Sequence, residues 1–387
     1  MFVASPAGWS VDHCGSSAGV GDGGLLRRWS AVVVALCLVS ASCIRNQVQR
    51  ASSDDCVAGD TDCGAETDSD GEPDADAGDS DASGSGEPTD TDASHDSDSS
   101  PAGNEPWTEL GPLTLDLLGD LIEVPAGTFS MGCLVGRDDN VANCEISNTP
   151  AHSVTLTTNT LMMRSEVTQR MWRAAFGNNP SAHSTEGGGS FALECGPACP
   201  VESVSWYDAV AFANAASAAA GLDACYDLSG CSGAPGENYV CASVGVTAAS
   251  AHPKDCVGFR LPTEAEWERA ARGGEDHPYA GSATVGDVAW FDGNSGDAPH
   301  AVCTRATNAY GLCDMSGNAW EWVWDRHFIF TEASRTDPVG AEVGSFRIMR
   351  SGSFGVEPRG VRVAFRSPEL PSDVYSDVGF RLARTAP

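Results

Sequence analysis

The stretch Asn308-Ala-Tyr-Gly-Leu-Cys-Asp-Met-Ser-Gly-Asn-Ala-Trp-Glu-Trp-Val-Trp-Asp325 decides the fold of this chain. Its three tryptophans, at positions 320, 322 and 324, alternate with acidic or aliphatic residues. In an extended strand successive side chains point to opposite faces, so the three indoles share one face and the two carboxylates share the other. We therefore predict a core strand that carries its tryptophans into the protein interior.

The residues around the start of this strand are rich in oxygen ligands. Asp314, Gly317, Asn318 and Glu321 fall within eight residues of one another. Calcium takes carboxylate, carboxamide and backbone carbonyl oxygens, so this density suits a calcium ion. The same residue types are also those that a tight turn requires. Spacing alone leaves both interpretations open.

Upstream of the folded part, residues 44–106 form an acidic segment. The chain has 387 residues and a formal net charge of -32, and residues 51–105 hold eighteen Asp and Glu and no Lys or Arg. Such a segment has too little apolar surface to offset the entropy lost on ordering, so we predict a disordered tether. The acidic balance also argues against nucleic acid or an anionic membrane surface as the main partner.

Residues 1–43 have the order of an export signal. Arg27 and Arg28 precede an apolar run at 31–39, small residues follow, and Cys43 ends the segment. The run is too short to span a bilayer comfortably. Ser40-Ala-Ser-Cys43 resembles a bacterial lipobox, so lipidation of Cys43 and plain cleavage both stay open. Residues 1–24 lack export features, which is consistent with an over-extended start.

These features predict an exported protein, either anchored in the cell envelope by a lipid or secreted. Contact with a membrane would then occur only through the N-terminal anchor. We expect the protein to be a monomer.

Residues 107–387 have the composition of a folded domain with ten cysteines. An even number in an exported domain indicates disulfides. Neighbouring cysteines suggest five bridges, although order alone does not fix connectivity. The Cys195-x-x-x-Cys199 spacing has one residue too many for a thioredoxin-type motif, which favours a structural loop over a redox pair. The suggested pairs are Cys133 with Cys144, Cys195 with Cys199, Cys225 with Cys231, Cys241 with Cys256, and Cys303 with Cys313.

Short strands and capped helices alternate along this domain. Strands are predicted at 121–124, 125–132 and 153–157, which favours a mixed sheet over a helical bundle. A helix is predicted over 169–176 with Gly177 as its stop, and a second helix, capped by Ser205, runs to Gly221. A third begins at the capping box of Thr263 and Glu266. Its charged side chains are expected to form ion pairs.

Two segments, 258–272 and 310–322, together resemble the formylglycine-generating enzyme family, the sulfatase-modifying factors. Further motifs follow in the family's order between residues 118 and 384. The resemblance implies one α+β domain of the C-type-lectin-like kind with much irregular structure. The further motifs are Pro125-Ala-Gly-Thr-Phe-Ser-Met-Gly132, Glu166-Val-Thr-Gln169 with Trp172, Pro200-Val-Glu-Ser-Val-Ser-Trp-Tyr-Asp-Ala209, Arg350-Ser-Gly-Ser-Phe354 and Val378-Gly-Phe-Arg-Leu382.

The resemblance also favours calcium over a simple turn. It implies a structural calcium site with side-chain ligands from Asp314 and Glu321 and carbonyl ligands from Gly317 and Ala319. Asp314 stands where the family usually has Asn.

Family enzymes oxidise a cysteine of a sulfatase peptide to formylglycine with oxygen and one copper ion. The resemblance places their two copper thiolates shortly after the Gly-Gly-Ser-Tyr turn, which corresponds here to 350–354. Copper(I) requires such soft ligands. The segment 354–366 contains no cysteine, and no cysteine follows Cys313. We therefore do not expect copper to bind in the family's way.

Three functional hypotheses follow. The first is an exported binding or accessory module that lacks copper chemistry and takes a peptide, carbohydrate or anionic ligand. The arginines of its predicted groove could instead form ion pairs with Glu369, Asp373 and Asp377. The second is a divergent oxidase or other non-heme metal enzyme, and the third is formylglycine generation with Cys303 or Cys313. The groove of the first would be lined by Trp320, Ser353, Arg359, Arg362 and Arg366.

Overall fold

The structure is a computed structural model that describes residues 111–138, 144, 146–185 and 195–387. The predicted export signal, Cys43 and the acidic tether lie outside the described residues. Across the described part of the chain, no helix has both the length and the apolar character needed to cross a membrane.

The described residues form short strands, four α-helices and long irregular connections. The helices are α1 (Gln169–Phe176), α2 (Trp206–Ala219), α3 (Glu264–Arg272) and α4 (Val285–Val288). The strands are β1 (Leu121–Val124), β2 (Gly127–Met131), β3 (His152–Leu156), β4 (Thr160–Met163), β5 (Tyr226–Asp227), β6 (Cys231–Ala234), β7 (Glu237–Cys241), β8 (Gly245–Val246), β9 (Trp320–Arg326), β10 (Arg335–Thr336), β11 (Arg347–Arg350), β12 (Ser367–Glu369), β13 (Val378–Gly379) and β14 (Ala383–Thr385).

The strands assemble into small sheets. One has the order β1-β4-β14, a second β10-β3-β2, and a third, with four strands, β12-β11-β9-β13. The pairs β5-β8 and β6-β7 lie in the segment 222–257. In the third sheet β9 pairs antiparallel with β11 and parallel with β13. The predicted α+β class with a mixed sheet is confirmed.

Helix boundaries follow their local caps closely. The Thr168 hydroxyl accepts from the Met171 amide, and Gly177 ends α1 in the left-handed region at φ 76°, where glycine has no steric penalty. The Thr263 hydroxyl likewise accepts from the Glu266 amide to start α3. The predicted bounds of α1 are confirmed, whereas α2 ends at Ala219, two residues before the predicted Gly221.

Strand β9 is buried on both faces. Trp320, Trp322 and Trp324 are 5%, 0% and 8% exposed, and they pack in the largest hydrophobic cluster. The Trp322 indole N–H donates to the Val204 carbonyl at 3.0 Å, which satisfies its buried donor. The predicted tryptophan face is confirmed as core. Glu321 on the opposite face is also fully buried, so that face needs polar partners.

Five disulfides bridge the ten cysteines of the domain, and two of the suggested pairs were wrong. Cys231 lies directly opposite Cys241 in the β6-β7 ladder, so these two residues are bonded. Cys225 then bonds Cys256, which encloses the hairpin in a larger loop. Sequence order missed this nesting because the antiparallel register decides which cysteines meet. The pairs confirmed are Cys133 with Cys144, Cys195 with Cys199, and Cys303 with Cys313.

Candidate functional site

Three carboxylates and one arginine meet in the core beside the start of β9. Glu166 precedes α1, Asp314 lies in the loop before β9, Glu321 is in β9, and Arg381 follows β13. All four are at most 2% exposed. With every group ionised the cluster would carry excess negative charge, which is costly in a buried environment.

Arg381 forms a bidentate ion pair with Glu321. Its Nε donates to Glu321 Oε2 at 2.7 Å and its Nη2 to Oε1 at 2.6 Å, while the Trp267 indole N–H donates to Oε2 at 2.8 Å. This bidentate geometry favours the ionised carboxylate. Nη2 also reaches the carbonyl oxygens of Cys313 and Asp314, at 3.0 and 3.3 Å. Glu321 is therefore held by the protein itself.

Glu166 and Asp314 lack such a counter-charge. Apart from the neighbouring Asp314 carboxyl group, neither Glu166 carboxylate oxygen has a hydrogen-bond partner among the described residues. Burial, reinforced by the Asp314 charge, raises the pKa of Glu166 well above its usual range, although Arg381 opposes the shift. Burial also raises the pKa of Asp314 to about 6, even though Asp314 accepts from the Cys303 amide at 2.6 Å. The two carboxyl groups need either a proton or a cation.

The donor set fits a hard cation in part. Glu166 and Asp314 provide carboxylate oxygens without an arginine of their own, and these are the ligands that calcium prefers. Of the predicted ligands, Asp314 and Glu321 are brought into one cluster, but Arg381 engages both oxygens of Glu321. The Gly317 carbonyl accepts from the Ser351 hydroxyl at 3.0 Å, and Ala319 is buried. The structure thus points to Glu166 as a further candidate ligand.

Glu166 was not among the predicted ligands because it lies far from Asp314 along the chain. In the sequence, Glu166-Val-Thr-Gln169 belongs to the motifs of the family resemblance and carries no predicted ligand role. An acidic residue next to a buried helix start is the available signal, and it becomes informative only when the opposing loop is known.

A second candidate metal cluster contains Cys303, Cys313 and Asp314. Their possible ligand atoms lie within 4.8 Å of one another. The two sulfur atoms are bonded to each other, so they are not thiolates. Since metal binding by cysteine requires the thiolate, this geometry reflects a disulfide beside an acid.

Two of the residues predicted to line the groove, Trp320 and Ser353, are buried, at 5% and 0% exposed. The Ser353 hydroxyl donates to Asp377 Oδ2 at 2.8 Å and accepts from the Gly355 amide at 3.3 Å. The Trp320 indole packs against the Phe365 ring with centroids 5.9 Å apart. Asp377 and Phe365, which contact these two residues, are half-buried.

The arginines predicted to line this groove lie elsewhere or are engaged. Arg366 is 2% exposed and its guanidinium forms a two-point pair with Glu264, at 2.7 and 2.5 Å, so it is a core residue and does not line a groove. Arg362 is also buried, and its Nε donates to the Arg359 carbonyl. Arg359 pairs with Glu357 at 3.3 Å near the surface.

The ion pair of Arg366 belongs to a larger buried network below this turn. Arg350 donates to Glu264 at 3.0 Å and to Glu268 at 2.8 Å. Glu268 also accepts from Arg272 at 3.0 Å. The predicted ion pairing of α3 is confirmed. Paired buried charges of this kind hold the 350–354 turn against α3.

The segment that corresponds to the family's copper-thiolate region has a different composition here. Its backbone forms a 3-10 helix over Pro358–Val361, and the carbonyl of Phe354 accepts from the Ser295 hydroxyl at 2.8 Å. Residues 354–366 provide no sulfur atom. The ten cysteines of the domain are all disulfide-bonded.

Comparison with known families gives a match over most of the chain. The model of the sulfatase-modifying factor enzyme 1-like domain matches residues 108–386. The formylglycine-generating enzyme of Thermomonospora curvata is 39% identical over 152 residues, which cover 33% of this chain and 49% of that protein. The chain thus spans about half the length of that enzyme.

Other relatives carry different names. Chaperone protein LppX of Paenibacillus barcinonensis is 28% identical over 240 residues, which cover 57% of this chain and 78% of that protein. The solved structure of Treponema denticola variable protein 1 aligns with a TM-score of 0.55 and 32% identity, and the match covers 69% of this chain and 95% of that one. PvdO from Pseudomonas aeruginosa, with a TM-score of 0.50 and 23% identity over 69% of this chain and 94% of its own, shares the fold.

Proposed function

Since this chain belongs to the sulfatase-modifying factor enzyme 1-like domain family, we propose that it is an exported binding or accessory module without the family's copper oxidase chemistry. The observation that carries the proposal is the lack of cysteine in residues 354–366, where the resemblance places the copper thiolates. Copper(I) chemistry on cysteine substrates depends on such soft ligands. Different names among the relatives are consistent with one fold serving several roles.

Oxidised cysteines elsewhere in the domain support the same proposal. Cys303 and Cys313 would have to break their shared bond before either could bind copper. Their bridge also lies beside Asp314, whose carboxylate accepts from the Cys303 amide. Recruiting these sulfur atoms for catalysis would therefore disturb the acidic cluster.

Ligand binding is proposed at the half-buried Asp377, whose carboxylate accepts from the buried Ser353 hydroxyl at 2.8 Å. A carboxylate accepts hydrogen bonds from the hydroxyl or amide groups of a ligand. With Arg366 and Arg362 buried, the face favours a peptide or carbohydrate over a strongly anionic ligand. The module would act where export delivers it, at the cell envelope or outside the cell.

Calcium is proposed as a structural ion of the acidic cluster. Glu166, Asp314 and the Gly317 carbonyl would hold it, with Glu321 and Arg381 forming the adjacent wall. When bound, calcium would supply positive charge that neutralises two buried carboxylates. The protein would contribute a preformed loop, since Gly317 at φ 79° places a carbonyl that the Ser351 hydroxyl orients.

The deciding experiment measures copper and activity together on the full chain, exported so that its disulfides form. After copper loading and dialysis, we expect no stoichiometric copper, no free thiol in the domain and no oxidation of a cysteine in a sulfatase-type peptide. A chain variant with two cysteines introduced at Val356 and Val361 serves as a control for copper uptake. Stoichiometric copper with peptide oxidation in the natural chain would overturn the proposal in favour of a divergent oxidase.

A separate binding measurement tests the groove. Ser353→Ala and Asp377→Asn should each weaken capture of a peptide or glycan ligand from an array. Arg164→Gln, on a half-exposed arginine whose side chain lies 3.8 Å from Asp120, is the matched control. Equal binding by all three variants would show that the ligand does not bind at this face.

A further inference from the structure

A separate cavity of about 360 Å³ opens near the N-terminus of α2. Its walls come from α2, from the disulfide-rich segment 222–257, from β9 and β11, and from the turn after β12. It shares no residue with the acidic cluster or the groove. Its lining includes Trp206, Ser243, Arg326, Ser345, Arg347 and Ser372.

The cavity is positively charged in a strongly acidic protein. Its lining contains Arg326 and Arg347 and no Asp or Glu, whereas the whole chain has a net charge of -32. The two arginines are directly opposite each other in the β9-β11 pairing. Like charges at opposite positions of a sheet destabilise it, so this pair needs an explanation.

Arg347 is buried without a carboxylate partner. It is 5% exposed, and within the described residues no carboxylate oxygen lies within 4.0 Å of its guanidinium. Its Nη1 donates to the Trp324 carbonyl, and within the same residues Nε and Nη2 have no protein acceptor. Burial, together with the Arg326 charge, lowers the pKa of Arg347 to about 9, so the group stays protonated at neutral pH.

Other buried arginines of this domain behave differently. Each of the four that are essentially inaccessible forms an ion pair with a glutamate. Arg347 has no such glutamate, and its guanidinium lies 3.7 Å from the Trp206 centroid and 4.9 Å from that of Trp324. Stacking fixes the plane of a guanidinium while leaving its edge free to donate, which is the arrangement that arginine uses to recognise oxyanions.

We propose that this cavity binds a small organic oxyanion, a carboxylate or a sulfate monoester, with Arg347 as its principal ligand. The Nε and Nη2 edge of Arg347 donates two parallel hydrogen bonds to the anion. Arg326 provides the second charge, and the hydroxyl groups of Ser243, Ser345 and Ser372 can donate to the remaining oxygen or to polar groups of the ligand body. The volume suits a small molecule and excludes a folded partner.

This inference does not depend on the proposed function, because the cavity and the groove have no residue in common. It also gives the 222–257 segment a role. Ala242 and Ser243 follow Cys241, whose bridge to Cys231 fixes the end of the β6-β7 hairpin at the cavity wall.

The test is isothermal titration of the full chain with glucuronate and with phenyl sulfate, in a buffer free of sulfate, phosphate and carboxylates. Glucose and phenol serve as neutral counterparts. We expect at least one of the two anions to bind and its neutral counterpart not to bind. Which anion binds distinguishes a carboxylate ligand from a sulfate ester.

Variants then locate the site. Arg347→Met should abolish binding, and Arg326→Gln should weaken it about ten- to a hundredfold, as expected for the loss of a charge-assisted hydrogen bond. Arg164→Gln removes a positive charge from the surface and should leave the affinity unchanged. If Arg347→Met does not fold, Arg326→Gln alone decides. Failure of both anions to bind, or equal affinity in Arg326→Gln and the natural chain, would overturn the proposal.

Discussion

Glu268 lies at the centre of the buried ion network, and its replacement by glutamine is the sharpest test of how that network contributes to stability. One carboxylate oxygen accepts from the Gly132 amide at 2.9 Å and from Arg272 at 3.0 Å. The other accepts from Arg350 at 2.8 Å. Glu268→Gln keeps the size and shape of the side chain while removing the negative charge that faces two arginines.

The expected loss is about 3 kcal/mol of unfolding free energy, because Arg272 and Arg350 each lose one of their two carboxylate partners and keep only Asp138 and Glu264. The pKa shift of Glu268 gives a consistent free energy. Burial alone would raise it, but the Arg272 and Arg350 charges lower the pKa of Glu268 from 4.5 to about 2. A shift of that size corresponds to about 3 kcal/mol. Since the folded-state pKa is depressed, this stability is present above about pH 4.5 and is lost as the pH falls towards 2.

Urea unfolding followed by tryptophan fluorescence, with disulfides intact, measures both effects. The difference in unfolding free energy between the natural chain and Glu268→Gln should be largest near about pH 6. It should shrink as the pH falls towards the folded-state pKa of Glu268. Asp120→Asn is the control, because its 3.8 Å contact with Arg164 is largely exposed and should contribute less than about 1 kcal/mol. A Glu268→Gln loss below about 1 kcal/mol, or a difference that does not vary with pH, would refute the reasoning.

Three further predictions concern the acidic cluster, the hairpin disulfide and the turn before β9. Chelation of calcium should lower the melting temperature of the natural chain. Glu166→Gln should remove most of this calcium dependence, because a neutral side chain no longer requires a cation. Identical melting curves of the natural chain with and without chelator would argue against the site. Replacing Cys231 and Cys241 together by Ser should cost about 2 to 3 kcal/mol in urea unfolding, the entropy of a ten-residue loop, and an unchanged midpoint would contradict that estimate. Gly317→Ala should cost at least about 3 kcal/mol, since its Cβ would lie 2.1 Å from the Trp290 carbonyl oxygen at a φ of 79°; a melting temperature equal to that of the natural chain would mean that the turn adapts.

Features set by neighbouring residues were predictable from the sequence. Thr168 and Gly177 bound α1 because a cap hydroxyl and a left-handed glycine act within a turn of the helix. The tryptophans of β9 alternate with the period of a strand, and that period alone assigns them to a core face. In each case the physical cause lies within a few residues of its effect.

Features set by distant contacts were not predictable. Arg366 was assigned to a groove because its partner, Glu264, lies on a helix about a hundred residues earlier. Glu166 was overlooked for the same reason, since only the fold brings it to Asp314. The position of Arg347 in the cavity could not be predicted, because the sequence does not distinguish a buried arginine without a carboxylate partner from one that has such a partner.

The nested disulfides have a consequence for how the chain matures. In synthesis order, the first partner available to Cys231 is Cys225, and the bond that they would form is absent from the fold. If the cysteines were oxidised in the order in which they are synthesised, three native disulfides would form. The segment 225–256 would then hold two non-native disulfides. The β6-β7 hairpin must therefore close before its thiols are oxidised, or an isomerase must exchange the bonds afterwards. A host that lacks disulfide isomerase activity should accumulate a mispaired form that differs from the native protein only between residues 225 and 256.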